Sequence, residues 1–213
     1  MELLWRSFFQ DVENDELGNI ESCKMHDLAG LVSGSESAIL NSSGENDIEK
    51  LRHVSFNLVD LSMQFSIAMC NGRKIHTILV SSVGGNLGNL TCDVLISNFT
   101  YLRTLDLSYL GLHVVPRSIG KLKHLRYLDL SRNYEIKNLP NSITKMLNLQ
   151  TLILRNCDSL RELPKGIKKL VNLRFLDITN CRQLINMPLE IGHHTYLETI
   201  LPFCCCKKGK FWG

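Results

Sequence analysis

The chain's 213 residues, 44% of them hydrophobic and carrying a formal charge of +3, suit one globular or solenoid unit with a small extra module. The positive charge is small and falls in short clusters, Lys121-Leu122-Lys123-His124, residues 165–169 and Lys207-Lys208, which read as solvated turns and argue against nucleic acid. No apolar run approaches the ~20 residues a bilayer span needs, and the opening Met-Glu-Leu-Leu-Trp-Arg lacks a signal peptide's basic start and continuous apolar core, so the expectation is a cytoplasmic protein with no membrane partner.

At the amino terminus, Leu3, Leu4 and Phe8, with Trp5 and Phe9 beside them, stand at helical spacing. Asp11 to Gly18 is acidic and polar, like a hairpin tip, and Ile20 to Met25 can form a returning strand. Asp27 to Val32 can open a short helix. Ser33 to Lys50 is rich in Ser, Gly, Asn and Glu and reads as a linker. These features divide the chain into a small module at 1–33, a linker at 34–50, a repetitive region at 51–205 and a tail at 206–213.

The repetition dominates everything after residue 50. Leu102, Leu125, Leu149, Leu173 and Leu197 follow one another at steps of 23, 24, 24 and 24, and each opens the pattern LxxLxLxx(N/C). The ninth slot holds Leu110, Asn133, Cys157, Cys181 and Cys205. In the second half of each unit, Pro116, Pro140, Pro164 and Pro188 recur every 24 residues, and Ile119, Ile143, Ile167 and Ile191 follow three residues later. Leu51-x-x-Val54-x-Phe56 and Ile75-x-x-Ile78-x-Val80 fit the same frame more loosely, with Ser81 to Leu90 as a surface insertion before the next unit, giving about seven rungs. Gly84-Gly85-Asn86-Leu87-Gly88 lacks the Lys-Ser/Thr of a phosphate loop.

The alternating leucines predict a strand with its apolar side chains on one face. The proline fixes φ and starts a return limb, and the isoleucine pins that limb back on the strand. No unit can bury its own apolar face, so units must stack into a parallel sheet. The expected fold is therefore α/β, a leucine-rich-repeat solenoid with a curved parallel sheet and an irregular, short-helix convex side.

The cysteines in the ninth slot predict small buried thiols rather than disulfides, in keeping with a reducing compartment. There is no CxxC pair and no zinc spacing. Histidines are scattered, and no Ser/His/Asp or Cys/His set falls on neighbouring units, so an enzyme is not expected. The outward positions of the frame are the candidate binding residues: Thr104, Asp106, Ser108 and Tyr109; Tyr127, Asp129, Ser131 and Arg132; Thr151, Ile153, Arg155 and Asn156; Phe175, Asp177, Thr179 and Asn180. Tyr, Phe and Arg among them are the residue types that anchor protein interfaces. Asp106, Asp129 and Asp177 form an acidic column interrupted by Ile153.

Arg6-Ser-Phe-Phe-Gln-Asp11 and Cys23-Lys-Met-His-Asp-Leu28, followed by repeats carrying Leu-Pro-x-x-Ile, resemble the plant nucleotide-binding, leucine-rich-repeat immune receptors of the coiled-coil subclass. The resemblance covers essentially the whole chain. It implies that 1–33 is the end of a winged-helix part, that His26 is the switch histidine facing an ADP phosphate with Asp27 supporting it, and that the repeats sense a pathogen effector or a guarded host protein and restrain the receptor's own nucleotide-binding module. Two features depart from the family. Leu28 runs straight into Ala29, as if about four residues were lost, and there is no GxxxxGK[ST] loop. The chain therefore reads as a carboxy-terminal piece of such a receptor, or a truncated gene product, that needs no cofactor of its own, ADP or ATP entering only with the upstream module. A general intracellular scaffold binding a partner such as a small GTPase shares the Leu-Pro-x-x-Ile limb but not the Met-His-Asp segment. An extracellular receptor would carry Gly-x-Ile-Pro limbs instead.

Overall fold

The computed structural model describes residues 9–14, 20–25, 37–40, 52–57, 74–81, 89–185 and 199–201. Strands β1 (Phe9–Asn14) and β2 (Ile20–Met25) pair antiparallel as a two-stranded sheet. Ile20–Met25 is the strand expected there, whereas Phe9, read at helical spacing with its neighbours, opens β1. His26, Asp27 and the expected helix at Asp27–Val32 lie outside the described residues.

Eight parallel strands form the main sheet: β3 (Ser37–Leu40), β4 (His53–Asn57), β5 (Thr77–Ser81), β6 (Thr104–Asp106), β7 (Tyr127–Asp129), β8 (Thr151–Ile153), β9 (Phe175–Asp177) and β10 (Thr199–Leu201). Each strand pairs with its predecessor in chain order. From β4 onward, register partners such as His53↔Thr77, Thr77↔Thr104, Thr104↔Tyr127 and Thr151↔Phe175 are separated by the repeat steps themselves. β3 falls inside the segment read as a linker, with Ser37 opposite His53, so the sheet has eight strands where seven rungs were expected.

The core follows the frame. Leu105, Leu128, Leu152 and Leu176, the central residues of four strands, are fully buried. So are Ile119, Ile143 and Ile167 on the return limbs. Each such side chain contributes roughly 1.5–3 kcal/mol of burial. The limbs are 3₁₀ turns, Arg117–Lys121, Asn141–Lys145 and Ile167–Lys169. Their backbone bonds repeat from rung to rung: Ile143 N–H donates to Pro140 at 3.0 Å, Met146 to Ile143 at 3.1 Å and Leu149 to Met146 at 3.0 Å. Proline thus begins a three-step relay that delivers the chain into the next strand.

The rung between β5 and β6 replaces its 3₁₀ turn with a helix, α1 (Asn89–Asn98). Its Cys92, Leu95 and Ile96, with Phe99 just after it, are buried at helical spacing. Phe99 then accepts from Leu102 N–H at 3.3 Å, as Leu122 does from Leu125 in the next rung. Asn89 and Leu90, the end of the segment read as a surface insertion, are the first residues of this helix; Gly84 to Gly88 lie outside the described residues.

Candidate functional site

On the open face of the sheet, two columns of side chains are set by the strand register. One is Thr104, Tyr127, Thr151 and Phe175; the other is Asp106, Asp129, Ile153 and Asp177. A residue missed from the sequence belongs to the second column: Leu79 pairs with Asp106 and is 39% exposed. The frame on Ile75, Ile78 and Val80 already carried that signal, because Leu79 lies between two inward residues.

The aspartates do more than face solvent. Asp106, Asp129 and Asp177 each accept the backbone N–H two residues on, from Ser108 (2.8 Å), Ser131 (2.7 Å) and Thr179 (2.9 Å). This Asx turn ends the strand. Asp177 keeps its register place on the open face but is buried there, and its Oδ2 stands 4.0 Å from Arg155 Nε. Burial raises the Asp106 carboxyl above its ordinary range. Burial, reinforced by the charge of Asp106, pushes Asp129 up to about 6, against the bonds from Ser131 and from Tyr127, whose hydroxyl donates to Oδ2 at 3.3 Å. The expected acidic column is thus a set of turn caps, half-buried at Asp106 and Asp129 and buried at Asp177.

Tyr109 and Arg132, outward positions of the frame, are turn residues in the left-handed region, at φ 56° and 58°, as are Asn156 and Asn180 at φ 58° and 60°. Non-glycine residues pay for this conformation with steric strain. The aspartate cap, three residues earlier in the Tyr109, Arg132 and Asn180 rungs, holds the backbone there. Tyr109 stays exposed at the rim, and Asn180 Nδ2 donates to Asn156 Oδ1 at 2.9 Å along the same rim.

Beneath the rim the ninth-slot residues are buried. Asn133 Oδ1 accepts from Leu110 N–H (3.1 Å) and Leu112 N–H (3.0 Å), and its amide donates to the carbonyls of Leu107 (2.9 Å) and Leu130 (2.8 Å). Cys157 and Cys181 are buried and free, and their thiols donate to Leu130 and Leu154 carbonyls at 3.3 and 3.1 Å. Burial raises both thiols, Cys181 to about 12. They are packing groups, as their register implies. Cys205 lies outside the described residues.

Among the described residues no group of three or more His, Cys, Asp or Glu is placed to hold a metal ion, and no helix is long and apolar enough to cross a membrane. What the open face offers is a fixed lattice of Thr, Tyr, Asp, Arg and Phe side chains. The sequence profile described as leucine-rich repeat region matches residues 81–211. The chain belongs to the leucine-rich-repeat family. Within that family its relatives bear the names of plant disease resistance proteins. One, from Solanum bulbocastanum and named disease resistance protein RGA1, is 38% identical over 142 residues, 64% of this chain and 12% of its own length. Another, At3g14460 of Arabidopsis thaliana, is 36% identical over 65% of this chain and 10% of its own. The chain therefore spans about a tenth of the length of these relatives. Leucine-rich-repeat structures share the fold. The plant peptide hormone receptor RGFR1 in complex with RGF2 has a TM-score of 0.58 at 20% identity, covering 90% of this chain and 28% of the receptor. The leucine-rich repeat domain of the type III effector XopL has 0.53 at 18% identity, covering 84% of this chain and 81% of that domain.

Proposed function

We propose that this leucine-rich-repeat chain is the protein-recognition module of an intracellular plant immune receptor, and that the open face of β6–β9 is where a protein docks. The observation that carries the reading is the pair of aromatic anchors, Tyr127 and Phe175, held two strands apart in one column, with Arg155 of the intervening rung 4.0 Å from Asp177. Ordered strands lose little conformational entropy on binding, so such a face is preorganised for a partner. The relatives' names supply the biological setting. The partner class is a pathogen effector, a guarded host protein, or the receptor's own nucleotide-binding module, and the setting is cytoplasmic. Nucleotide enters with that upstream module, because this chain has no phosphate loop to hold it. The role is binding rather than catalysis.

The test replaces Tyr127, Arg155 and Phe175 together with Ala and measures co-precipitation of an upstream nucleotide-binding module supplied in trans, with circular dichroism to follow the fold. The expected result is a folded chain that no longer captures the module. A folded variant that binds as well as the parent moves the docking site off this face.

A further inference from the structure

Along the chain the lysines look like scattered clusters; stacking gathers them. The segments 116–126, 140–150 and 164–174, which run from each proline to the next strand, carry nine Lys or Arg residues and no Asp or Glu, and all nine are exposed. The carboxylates of these rungs lie elsewhere, in the strands or in the turns that follow them. Because the repeat is 24 residues, Lys121, Lys145 and Lys169 close three successive 3₁₀ turns in equivalent positions. The edge they share is stitched together: Lys123 Nζ donates to Lys145 O at 3.2 Å, Asn148 Nδ2 to Lys123 O at 2.8 Å, and Asn172 Nδ2 to Leu147 O at 2.7 Å. Leu147 and Val171, in the repeat position of Lys123 and two residues after Lys145 and Lys169, stand 52% and 51% exposed.

We propose that this edge is a docking surface for an anionic phospholipid membrane. Three features favour lipid over another polyanion. Lysine stems and exposed aliphatic side chains side by side suit a headgroup region, where ammonium groups meet phosphates while Leu147 and Val171 sink towards the acyl boundary. A row of like charges repeated at every rung offers one contact over and over, as a laterally uniform charge surface does, rather than a pocket for one shaped ligand. The chain also carries a second element of the same chemistry, Cys204-Cys-Cys-Lys-Lys-Gly-Lys-Phe-Trp212, and stable attachment to a membrane takes two signals.

The test is co-sedimentation of the full chain with phosphatidylcholine vesicles, with and without roughly a quarter phosphatidylserine. Binding is expected only to the anionic vesicles and should weaken as salt is raised. Lys121→Glu, Lys145→Glu and Lys169→Glu together should lower the partition coefficient on the order of a hundredfold, with circular dichroism unchanged. If charge reversal disturbs the fold, the corresponding Lys→Gln triple carries the same test. Leu147→Asn with Val171→Asn should weaken the part of binding that survives high salt. The proposal is overturned if the parent chain ignores anionic vesicles or binds polyglutamate or RNA in their place. It is equally overturned if the lysine variant binds like the parent, or if changing Lys207, Lys208 and Lys210 to Gln removes all binding while the edge variant retains it.

Discussion

Asp106 and Asp129 occupy one register position on neighbouring strands, and each spends an oxygen on the N–H two residues ahead. Two half-buried carboxyls are thereby stacked in a column, and the fold favours their neutral forms. For Asp129 the sign is clear. Its pKa in the fold, about 6, lies above the ordinary 3.8, so its protonated form stabilises the fold fully below about 3.8, and that contribution is lost as pH rises through about 6.

Asp129→Asn keeps an oxygen for Ser131 N–H but cannot ionise. Relative to the parent, the variant should gain stability as pH rises, from little difference near pH 4 to on the order of 2 kcal/mol by pH 8. Urea unfolding across that range measures it. A difference that stays flat with pH would show that Asp129 titrates as an ordinary surface carboxyl.

Asn133 satisfies four buried backbone groups in two rungs. Its role differs from that of the cysteines because the rung from Leu102 to Leu125 is one residue short. Gly111, at φ 61°, makes the turn there, and Leu112 N–H bonds to the Asn133 side chain, whereas Leu160 and Leu184 N–H bond to the ninth-slot carbonyls of their own rungs. Asn133→Ala should cost on the order of 3–5 kcal/mol through orphaned buried groups. Asn133→Cys should cost less, because a thiol can still reach a carbonyl but offers Leu112 N–H no good acceptor. The midpoint of chemical denaturation at unchanged slope reads both. A loss under about 0.5 kcal/mol for Asn133→Ala would place it among ordinary surface changes.

Gly120 approaches the next rung closely. A Cβ there would lie 2.6 Å from the Ser142 carbonyl oxygen, while a Cβ on Gly166 would meet the Thr144 side chain, its methyl nearest at 3.3 Å. Gly120→Ala should therefore push two limbs apart and cost about 1–3 kcal/mol. Gly166→Ala needs only a small side-chain adjustment, and the stiffer unfolded chain offsets that by about 0.4–1 kcal/mol. Thermal unfolding of the two variants side by side separates them. Equal costs would mean that the limbs are not packed as tightly as this contact requires.

The sequence by itself determined the rungs from β4 to β10, because the roughly 24-residue period is the stacking period, and from β4 to β9 the frame puts its middle residue, from Val54 to Leu176, inside. It determined the proline-initiated limbs and the burial of Cys157 and Cys181 for the same reason: a position repeated in register meets the same neighbours. Local pattern could not reveal β3, whose partner strand lies outside its own segment, nor α1, whose apolar residues pack against a core that exists only once rungs stack. It placed Asp106, Asp129 and Asp177 on the outward side of the strand but could not show that each caps its own turn, or that packing of neighbouring rungs buries Asp177 and, by burial, raises Asp106 and Asp129. Tyr109 and Arg132 read as outward positions of the frame; the tertiary structure ends the strand at the aspartate and turns them into the left-handed region. The gathering of lysines on one edge was likewise decided by stacking, since residues 24 apart in sequence become neighbours only when one rung lies on the next.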